Sequence, residues 1–462
     1  MHGWSSEEVH AGRFTEWARQ YGGLYTLKLG AGTMAVITDR RIVKSTADKK
    51  SNIYSHRPPS YVSHELITKG NHLLVMFYGD KWRAFRRLIH QHLTENMVER
   101  EHLAIVNAEA VQLSMVYAHP MFGRRCMRRL YHLMESWSEL METGNTPPVD
   151  IFPWLKMIPG KLFGDYKSRA LGVGQQMESL YEDTLSAVLK RRETRRLGSF
   201  MDVVLDQQDK IQLPRDQLRF IGGVLMEGGS DTSSSLILAI VQALILNPAI
   251  QEKAHREIAA VVGEERSPVW ADMPNLPYIN MIVKEGHRWR PILPLCFPHA
   301  LGQDDWVDGK FLPKGTIVVI NSWGMHMDPN VWEDPETFNP DRYRDHPLLA
   351  PDYVAGGDWQ KRDHYGYGVG RRICPGMYLA ERNMLLSIAK LIWAFKFEAP
   401  LGPDGKPVRI DPDPITGYQN GFLYCAKDYG CLPVVRSEQV RQTVLREFAQ
   451  AEKDVFSDLD CN

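Results

Sequence analysis

The pattern of hydrophobic and polar positions predicts a chain built mainly of helices. Apolar residues recur every three or four positions through most long segments, which is typical of helices with one buried face. Strict alternation is confined to short stretches, such as residues 24–39 around Gly30, which predict a β-hairpin. A β-branched stretch at 316–320 predicts another strand. The predicted helices are 39–48, 82–93, 102–117, 128–141, one that ends near 192, about 215–246, 254–262, 276–289, 378–393 and 438–462.

Three connecting segments carry neither periodicity. Residues 55–78 are irregular and include Pro58-Pro59, so we predict a long loop of the kind that contacts substrate. Residues 151–163 are apolar and broken by prolines, which indicates a lid or a patch that touches a membrane. Residues 417–423 predict the tip of a terminal hairpin.

The longest predicted helix, at about 215–246, breaks the rules of helix composition in its middle. It follows Pro214, ends before Pro248, and is apolar on nearly every face, so it should be central and buried. Its middle nevertheless reads Gly-Gly-Ser-Asp-Thr-Ser-Ser-Ser at 228–235. Each interior glycine costs about 1 kcal/mol relative to alanine, hydroxyls can open the backbone ladder, and a buried Asp231 is expensive. Such a combination predicts a functional site. The alternative is a close helix crossing with a capped hydroxyl cluster.

A second unusual stretch is the glycine-rich loop at 367–376, which presents a single cysteine. Cys374 follows Arg371 and Arg372 and precedes a predicted helix. Positive charge and helix amides both favour a thiolate, the form of cysteine that binds metals. We therefore expect the two arginines to lower the pKa of Cys374. The alternative is a small buried hydrophobic residue.

Four weaker signals lie elsewhere in the chain. Trp82 and Arg86 are four residues apart, so they share one helix face. Glu285 and Arg288 form an i,i+3 pair, which alone is weak evidence. Pro298-His299 should stiffen the following segment. The alternative for His299 is a core residue whose hydrogen bonds are satisfied. The sequence Pro-Glu-Thr-Phe-Asn-Pro-Asp-Arg-Tyr occupies 335–343.

Composition excludes some classes of function. The chain has 462 residues, with 55 Lys and Arg against 56 Asp and Glu, so nothing indicates nucleic-acid binding. Six cysteines lie scattered without a CxxC pair, which argues against structural zinc and a disulfide framework. No linker or repeat divides the chain, so we expect one domain over 1–462. The amino-terminal residues show no apolar span for a membrane anchor and no signal peptide, so we expect an intracellular protein.

Taken together in this order, the motifs resemble those of the cytochrome P-450 monooxygenases. The loop at 367–376 matches F-x-x-G-x-R-x-C-x-G, with Tyr367 where the family usually has Phe. Residues 228–233 match [AG]-G-x-[DE]-T-[TS]. Several segments are most similar to fungal members that act in secondary metabolism, near the O-methylsterigmatocystin oxidoreductase-like group. The resemblance implies the mainly α cytochrome P-450 fold with small β-sheets (α+β), a long central helix over the haem, and the cysteine loop.

The resemblance also implies a role for each matching residue. Asp231 and Thr232 would organise the proton supply for oxygen activation. Cys374 would be the axial thiolate of haem b and the metal ligand. Glu285, Arg288 and Arg342 would form a charged triad that supports the haem site. The remaining cofactor-binding residues would be Trp82, Arg86, Gly228, His299, Tyr367, Gly370, Arg372 and Gly376.

The implied reaction inserts one oxygen atom of dioxygen into an apolar small molecule, such as a polyketide, terpenoid or alkaloid. The electrons would come from an NADPH-dependent cytochrome P-450 reductase, with a cytochrome b-type donor as a further option. A basic face formed by Arg83, Arg87, Lys361, Arg362 and Arg371 would attract an acidic partner. We expect a monomer. Family members sit on the endoplasmic reticulum membrane, but without an anchor this chain would be cytosolic or peripheral. The predicted pocket walls are 60–77, 228–232, 292–297 and 421–423.

Two alternatives remain open at this point. Between residues 117 and 131 the chain is too short for a helix that the family usually has there, which favours a catalytically impaired or dead relative that binds haem weakly or not at all. The other alternative is a haem-thiolate isomerase or a peroxide-using enzyme. Such an enzyme can dispense with a proton path, so Asp231 and Thr232 argue against it.

Overall fold

In a computed structural model, the chain is described for residues 11–116, 125–142, 144–196, 198–419 and 423–456. The α-helices are α1 (Ala11–Tyr21), α2 (Arg40–Val43), α3 (Ser51–Tyr54), α4 (Asp80–His92), α5 (Glu95–Met97), α6 (Leu103–Val116), α7 (Arg125–Met141), α8 (Tyr166–Arg192), α9 (Phe200–Asp206), α10 (Gln208–Ile211), α11 (Arg215–Leu246), α12 (Pro248–Val262), α13 (Pro277–Trp289), α14 (Ser322–His326), α15 (Ala350–Ala355), α16 (Met377–Ala394) and α17 (Glu438–Ala451). The strands are β1 (Leu24–Leu29), β2 (Gly32–Ile37), β3 (His299–Ala300), β4 (Asp305–Val307), β5 (Lys310–Leu312), β6 (Ile317–Ile320), β7 (Phe395–Glu398) and β8 (Leu432–Val435).

The predicted central helix is α11, with the bounds that the sequence indicated. The carboxyl-terminal half of α11 is almost fully buried and packs with α12, α13 and α16 into the largest hydrophobic cluster. Its amino-terminal half lies against α8, where Gly223 meets the ring of Tyr181. Within the described residues, α11 is also the one helix long and apolar enough to cross a membrane, a property it shares with core helices of globular proteins.

Within the described residues, the strands form one sheet of four strands and two separate antiparallel pairs, β4-β5 and β7-β8. The larger sheet has the order β1-β2-β6-β3, in which β2 and β6 are parallel and the other pairs are antiparallel. Gly30 has φ of 59° in the turn between β1 and β2, as the alternating pattern predicted. This sheet brings the amino-terminal segment beside residues that lie near position 320.

The region predicted as an irregular loop, 55–78, contains one helical turn that the sequence did not indicate. Residues Tyr61–Ile67 form a π-type helix that starts where the Ser60 side chain accepts a hydrogen bond from the Ser63 amide. It packs against α8, because Gly174 on α8 lets the backbone of Ile67 approach closely. Tertiary packing therefore ordered a segment whose local pattern is weak.

Candidate active site

The cysteine loop is held in place by contacts with the amino-terminal part of the chain. The amide of Gly370 donates to Asp48 Oδ1 at 2.9 Å, and a Cβ on Gly370 would lie 2.2 Å from the carbonyl oxygen of Ala47. Only glycine therefore fits at this position, where φ is also 59°. The amide of Cys374 donates to the carbonyl oxygen of Tyr367 at 2.8 Å, which closes the loop on itself.

The surroundings of the Cys374 sulfur differ from the sequence-based expectation. Burial raises the pKa of the thiol, whereas the Gly376 amide and the charge of Arg86 lower it. The two arginines next to Cys374 in the sequence bond to other groups. Arg371 is exposed and bonds to Ser51 and Tyr78, and Arg372 is tied to backbone carbonyls. The expectation that Arg371 and Arg372 lower the thiol pKa was wrong, because their guanidinium groups bond to other side chains and to backbone carbonyls and neither has a resolved effect on the thiol.

Trp82 and Arg86 both lie on α4, on the side that faces the cysteine loop. Trp82 is buried, and its indole N–H makes no hydrogen bond within the described residues. Arg86 has no ion pair or hydrogen bond in the same part of the chain, although burial lowers its pKa. Cys374 is the charged group that partly offsets this effect. A partly buried guanidinium without a carboxylate partner in the described part of the chain is suited to bind an anion.

Two more arginines extend this positive region. Arg372 donates to the carbonyl oxygens of Ser55 at 2.8 Å and Met76 at 2.7 Å, and its guanidinium lies 4.4 Å from the Trp82 ring. Burial, together with the charges of Arg57 and Arg86, lowers the pKa of Arg372 to about 8. No carboxylate pairs with it within the described residues.

Arg57 is a member of this cluster that the sequence analysis missed. It donates to the carbonyl oxygens of Leu74 at 2.9 Å and Pro298 at 2.8 Å, and burial lowers its pKa to about 9. The adjacent His299 uses Nδ1 to contact the Tyr54 carbonyl oxygen at 2.6 Å. Burial and the charges of Arg57 and Arg372 lower the pKa of His299 to about 3. No spacing motif marks Arg57, so only its buried position identifies it.

The middle of α11 provides open space and hydroxyl groups. A Cβ at Gly228 or Gly229 would meet nothing within 4 Å, so this face of the helix is free to approach a ligand. Thr232 Oγ1 donates to the Gly228 carbonyl oxygen at 2.9 Å, and the helix remains continuous. Burial and the charge of Glu227 raise the pKa of Asp231, whose carboxylate has no partner within the described residues.

The charged triad expected from the sequence motifs is assembled in the structure. Glu285 and Arg288 form a bidentate ion pair, and both side chains are fully buried. Arg288 Nε donates to Glu285 Oε2 and Arg288 Nη2 donates to Glu285 Oε1, each at 2.7 Å. Arg342 Nε reaches Glu285 Oε1 at 3.2 Å. Arg288 also donates to the carbonyl oxygens of His326 and Pro335. The triad therefore joins α13 to the segments that precede the cysteine loop.

Comparison with known proteins decides the family. The family model described as Cytochrome P-450 matches residues 4–117 and 114–419, which is most of the chain. The chain belongs to the cytochrome P-450 family. This confirms the fold class and the resemblance predicted from the sequence.

Relatives of known name agree with this assignment. The chain is 65% identical to cytochrome P-450 monooxygenase patH of Aspergillus clavatus, over 96% of this chain and 89% of the relative. It is 66% identical to patH of Penicillium expansum and 65% identical to acuC of Aspergillus aculeatus, both also named cytochrome P-450 monooxygenases and covered to the same extent. A zebra fish cytochrome P-450 solved with progesterone superposes with a TM-score of 0.73 at 20% identity, over 92% of this chain and 99% of that chain.

These relatives show that the protein is a cytochrome P-450 monooxygenase, an oxidoreductase that incorporates oxygen. They support the main functional prediction and give no support to the impaired relative or the isomerase. The short segment behind the first alternative lies mostly outside the described residues, at 117–124. The two parts of the family-model match, 4–117 and 114–419, meet at this segment. The alignment to patH of Aspergillus clavatus runs over 472 positions, which is more than the 462 residues of this chain. The relative therefore has residues without a counterpart here.

A haem-thiolate cofactor is implied by the family, and the residues present fit it. Cys374 offers the thiolate, and the open face of α11 at Gly228 leaves room for a flat group. The cluster of Arg57, Arg86 and Arg372 has no acidic partner within the described residues and suits the two carboxylates of a haem. The haem supplies oxygen activation when it is bound. The individual assignments of Asp231, Thr232, Trp82, Arg86, Gly228, His299, Tyr367, Gly370, Arg372, Cys374, Gly376, Glu285, Arg288 and Arg342 stay predictions.

The predicted pocket walls are only partly described. Residues 60–77 and 292–297 border the arginine cluster through Leu74 and Phe297, whereas 420–422 lie outside the described residues. The sequence analysis also missed a buried contact beside the open helix face. Glu227 accepts hydrogen bonds from Tyr181 and from His72 Nε2, the latter at 2.9 Å, and so joins α11 to α8 and to the loop before α4.

Proposed function

We propose that this monooxygenase uses haem b and acts on a small apolar substrate in fungal secondary metabolism. The observation that carries the cofactor is the juxtaposition of Cys374 with three arginines that have no acidic partner within the described residues. Arg57 is buried, and Arg86 and Arg372 are partly buried. A haem held without covalent bonds needs an axial ligand and partners for its two free carboxylates, and this arrangement supplies both kinds of group. The kinship to fungal relatives such as patH and acuC supports the metabolic setting.

The test is the carbon monoxide difference spectrum of the reduced recombinant protein. We expect a thiolate-type Soret band in the wild type and its loss in Cys374→Ser. Cys296→Ser is the matched control, because Cys296 is a free, partly buried cysteine like Cys374 but lies outside the loop. A thiol-type band or no haem in the wild type would contradict the proposal. Product formation with candidate polyketides, terpenoids and alkaloids would then define the substrate class.

We propose that electrons come from an NADPH-dependent cytochrome P-450 reductase that docks on exposed basic residues near the loop. Arg83, Arg87, Lys361 and Arg371 are exposed. Arg362, which the sequence analysis placed on this face, is buried and donates to the carbonyl oxygens of His364 and Gly368, so it does not belong to the surface. Arg87→Glu should weaken turnover with reductase and leave turnover with peroxide unchanged. Equal effects on both reactions would exclude this docking face.

We also propose that the protein is a monomer that contacts a membrane peripherally through residues 151–163. Trp154, Met157 and Leu162 are 57%, 82% and 73% exposed, in short turns that also carry Lys156 and Lys161. Exposed apolar groups flanked by lysines suit the surface of an anionic bilayer. Sedimentation with vesicles tests this: Trp154→Ser with Leu162→Ser should release the protein from anionic vesicles, whereas Trp306→Ser, an exposed tryptophan elsewhere, should not.

A further inference from the structure

Three buried polar atoms behind the cysteine loop make no hydrogen bond to the protein within the described residues. They are Tyr367 Oη in the loop, His287 Nε2 on α13 and Glu381 Oε2 on α16. The exposed fractions of these residues are 8%, 5% and 3%, so bulk water does not reach them. A buried polar group without a partner costs about 1–3 kcal/mol, and native proteins contain few of them.

The three residues lie together. The rings of His287 and Tyr367 have centroids 4.9 Å apart. Glu381 Oε1 accepts from the Ala350 amide at 2.7 Å, and Ala350 packs in the same apolar cluster as Tyr367 and Cys374. After burial, Glu381 is the charged group with the largest effect on the pKa of Tyr367. Three unpartnered atoms from three separate elements therefore lie in one buried region around Tyr367.

The orientation of these side chains is fixed by their neighbours. His287 stacks on His364 with ring centroids 4.3 Å apart and planes 7° from parallel. A Cβ on Gly366 would lie 2.4 Å from His287 Nδ1, so the loop backbone closes the other side of the ring. Since His287 is packed on two sides, a small polar molecule among these groups is the simplest way to satisfy the three atoms.

We propose that Tyr367, His287 and Glu381 form a buried water-binding site behind the cysteine loop, and that this water holds the Tyr367 ring in place beside Cys374. Tyr367 is then a positioning residue, because its carbonyl oxygen accepts the hydrogen bond from the Cys374 amide. The site explains why a tyrosine is accepted at a position where the loop needs only a ring. It rests on the fold and not on haem binding.

The protonation states allow a neutral network. Burial raises the pKa of Glu381 to about 8, so at neutral pH its carboxyl group carries a proton that it can donate. Burial lowers the pKa of His287 well below its usual value, so the ring is neutral and has an acceptor nitrogen. The phenol of Tyr367 both donates and accepts. A water bonded to these groups therefore introduces no charge into the interior.

The direct test is a crystal structure at a resolution that shows ordered water. We expect a water within hydrogen-bond distance of Tyr367 Oη and at least one of the other two atoms, in protein with or without haem. A dry cavity, or a direct Tyr367–Glu381 hydrogen bond, would overturn the proposal. Because apo-protein is sufficient, failure of the haem assignment does not affect this outcome.

The second test compares variants that keep the ring but remove one polar atom. In Tyr367→Phe and in His287→Phe we expect the thiolate-type carbon monoxide band to be lost severalfold faster in mild urea than in the wild type. The double variant should lose the band no faster than either single variant, because both atoms bind the same water. Glu381→Gln keeps a donor and an acceptor at the site and should lose the band no faster than the wild type. Tyr365→Phe controls for loss of a loop hydroxyl. If no water is bound, Tyr367→Phe removes an unpaired hydroxyl and the band should become more stable.

Discussion

Arg86 and Cys374 each affect the pKa of the other, although they are far apart in the sequence. Burial raises the pKa of Cys374 and lowers that of Arg86, and each residue partly offsets the effect of burial on the other. The helix α4 therefore affects the ionisation of the Cys374 thiol and also contributes Arg86 to the arginine cluster. This relationship leads to the first prediction.

Arg86→Leu should raise the pKa of the Cys374 thiol in the apo-protein and reduce haem retention. The loss of the nearby positive charge leaves burial to act alone on the thiol. Alkylation of Cys374, followed by peptide mass spectrometry between about pH 7 and 10, should show a later onset. Arg86→Lys keeps the charge and should fall between wild type and Arg86→Leu. An unchanged alkylation profile in Arg86→Leu would rule out this coupling.

Two glycines of α11 should respond oppositely to alanine. Gly228→Ala places its methyl group in open space, so we expect a gain in stability of about 0.5–1 kcal/mol together with weaker substrate binding. Gly223→Ala places the methyl group 2.3 Å from the Tyr181 ring and should cost about 1–3 kcal/mol. Thermal unfolding of both holo-variants measures the difference. Destabilisation of similar size in both would show that the face at Gly228 is not open.

Removal of the Thr232 hydroxyl should divert reducing equivalents from product to hydrogen peroxide. Thr232 Oγ1 bonds to the Gly228 carbonyl oxygen on the open face of α11. The sequence motif predicts that this hydroxyl takes part in the proton supply for oxygen activation. We expect Thr232→Ala to raise the ratio of peroxide to product several-fold at similar NADPH consumption. Thr232→Ser keeps the hydroxyl, and Ser234→Ala removes another exposed hydroxyl of the same helix. An isomerase would be indifferent to all three changes.

The charged triad should contribute strongly to stability. Glu285→Gln leaves the buried Arg288 without its counter-charge, and breaking such a pair costs about 3–5 kcal/mol. Arg344→Gln removes an exposed ion pair with Asp341 and should cost less than about 1 kcal/mol. Urea unfolding of the two variants gives the comparison. If their midpoints are equal, the triad is not a structural requirement of the haem site.

Glu381 should make the protein less stable as pH rises. Burial raises its folded pKa to about 8, whereas the unfolded chain has the ordinary value of 4.5. Between pH 4.5 and pH 8 the folded state holds a proton that the unfolded state releases. The free energy of unfolding is therefore highest, as far as Glu381 is concerned, below pH 4.5 and falls as the pH rises toward 8. The loss is on the order of 5 kcal/mol. Glu381→Gln should flatten this part of the pH profile in urea unfolding. A wild-type profile without a decline would contradict the buried neutral carboxyl.

The sequence alone determined the features that depend on local patterns. The bounds of α11 were predicted correctly because Pro214, Pro248 and a continuous apolar run are all local signals. The cysteine loop, the glycine pair of α11 and the Glu285–Arg288 pair were found because their spacing is short and fixed. These motifs were sufficient to identify the family, which the comparisons then confirmed.

The tertiary structure decided which distant groups meet. Arg57 joins the arginine cluster through carbonyls about 240 residues away, and no spacing in the sequence encodes such a contact. Arg371 and Arg372 follow one another but point to different surroundings, so adjacency to Cys374 did not predict their effect. Tyr367, His287 and Glu381 come from three elements that only folding brings together. Side-chain direction, burial and charge are properties of the packed molecule. For this reason the sequence indicated Cys374 and Arg86 separately but not that Arg86, rather than Arg371 or Arg372, affects the thiol pKa.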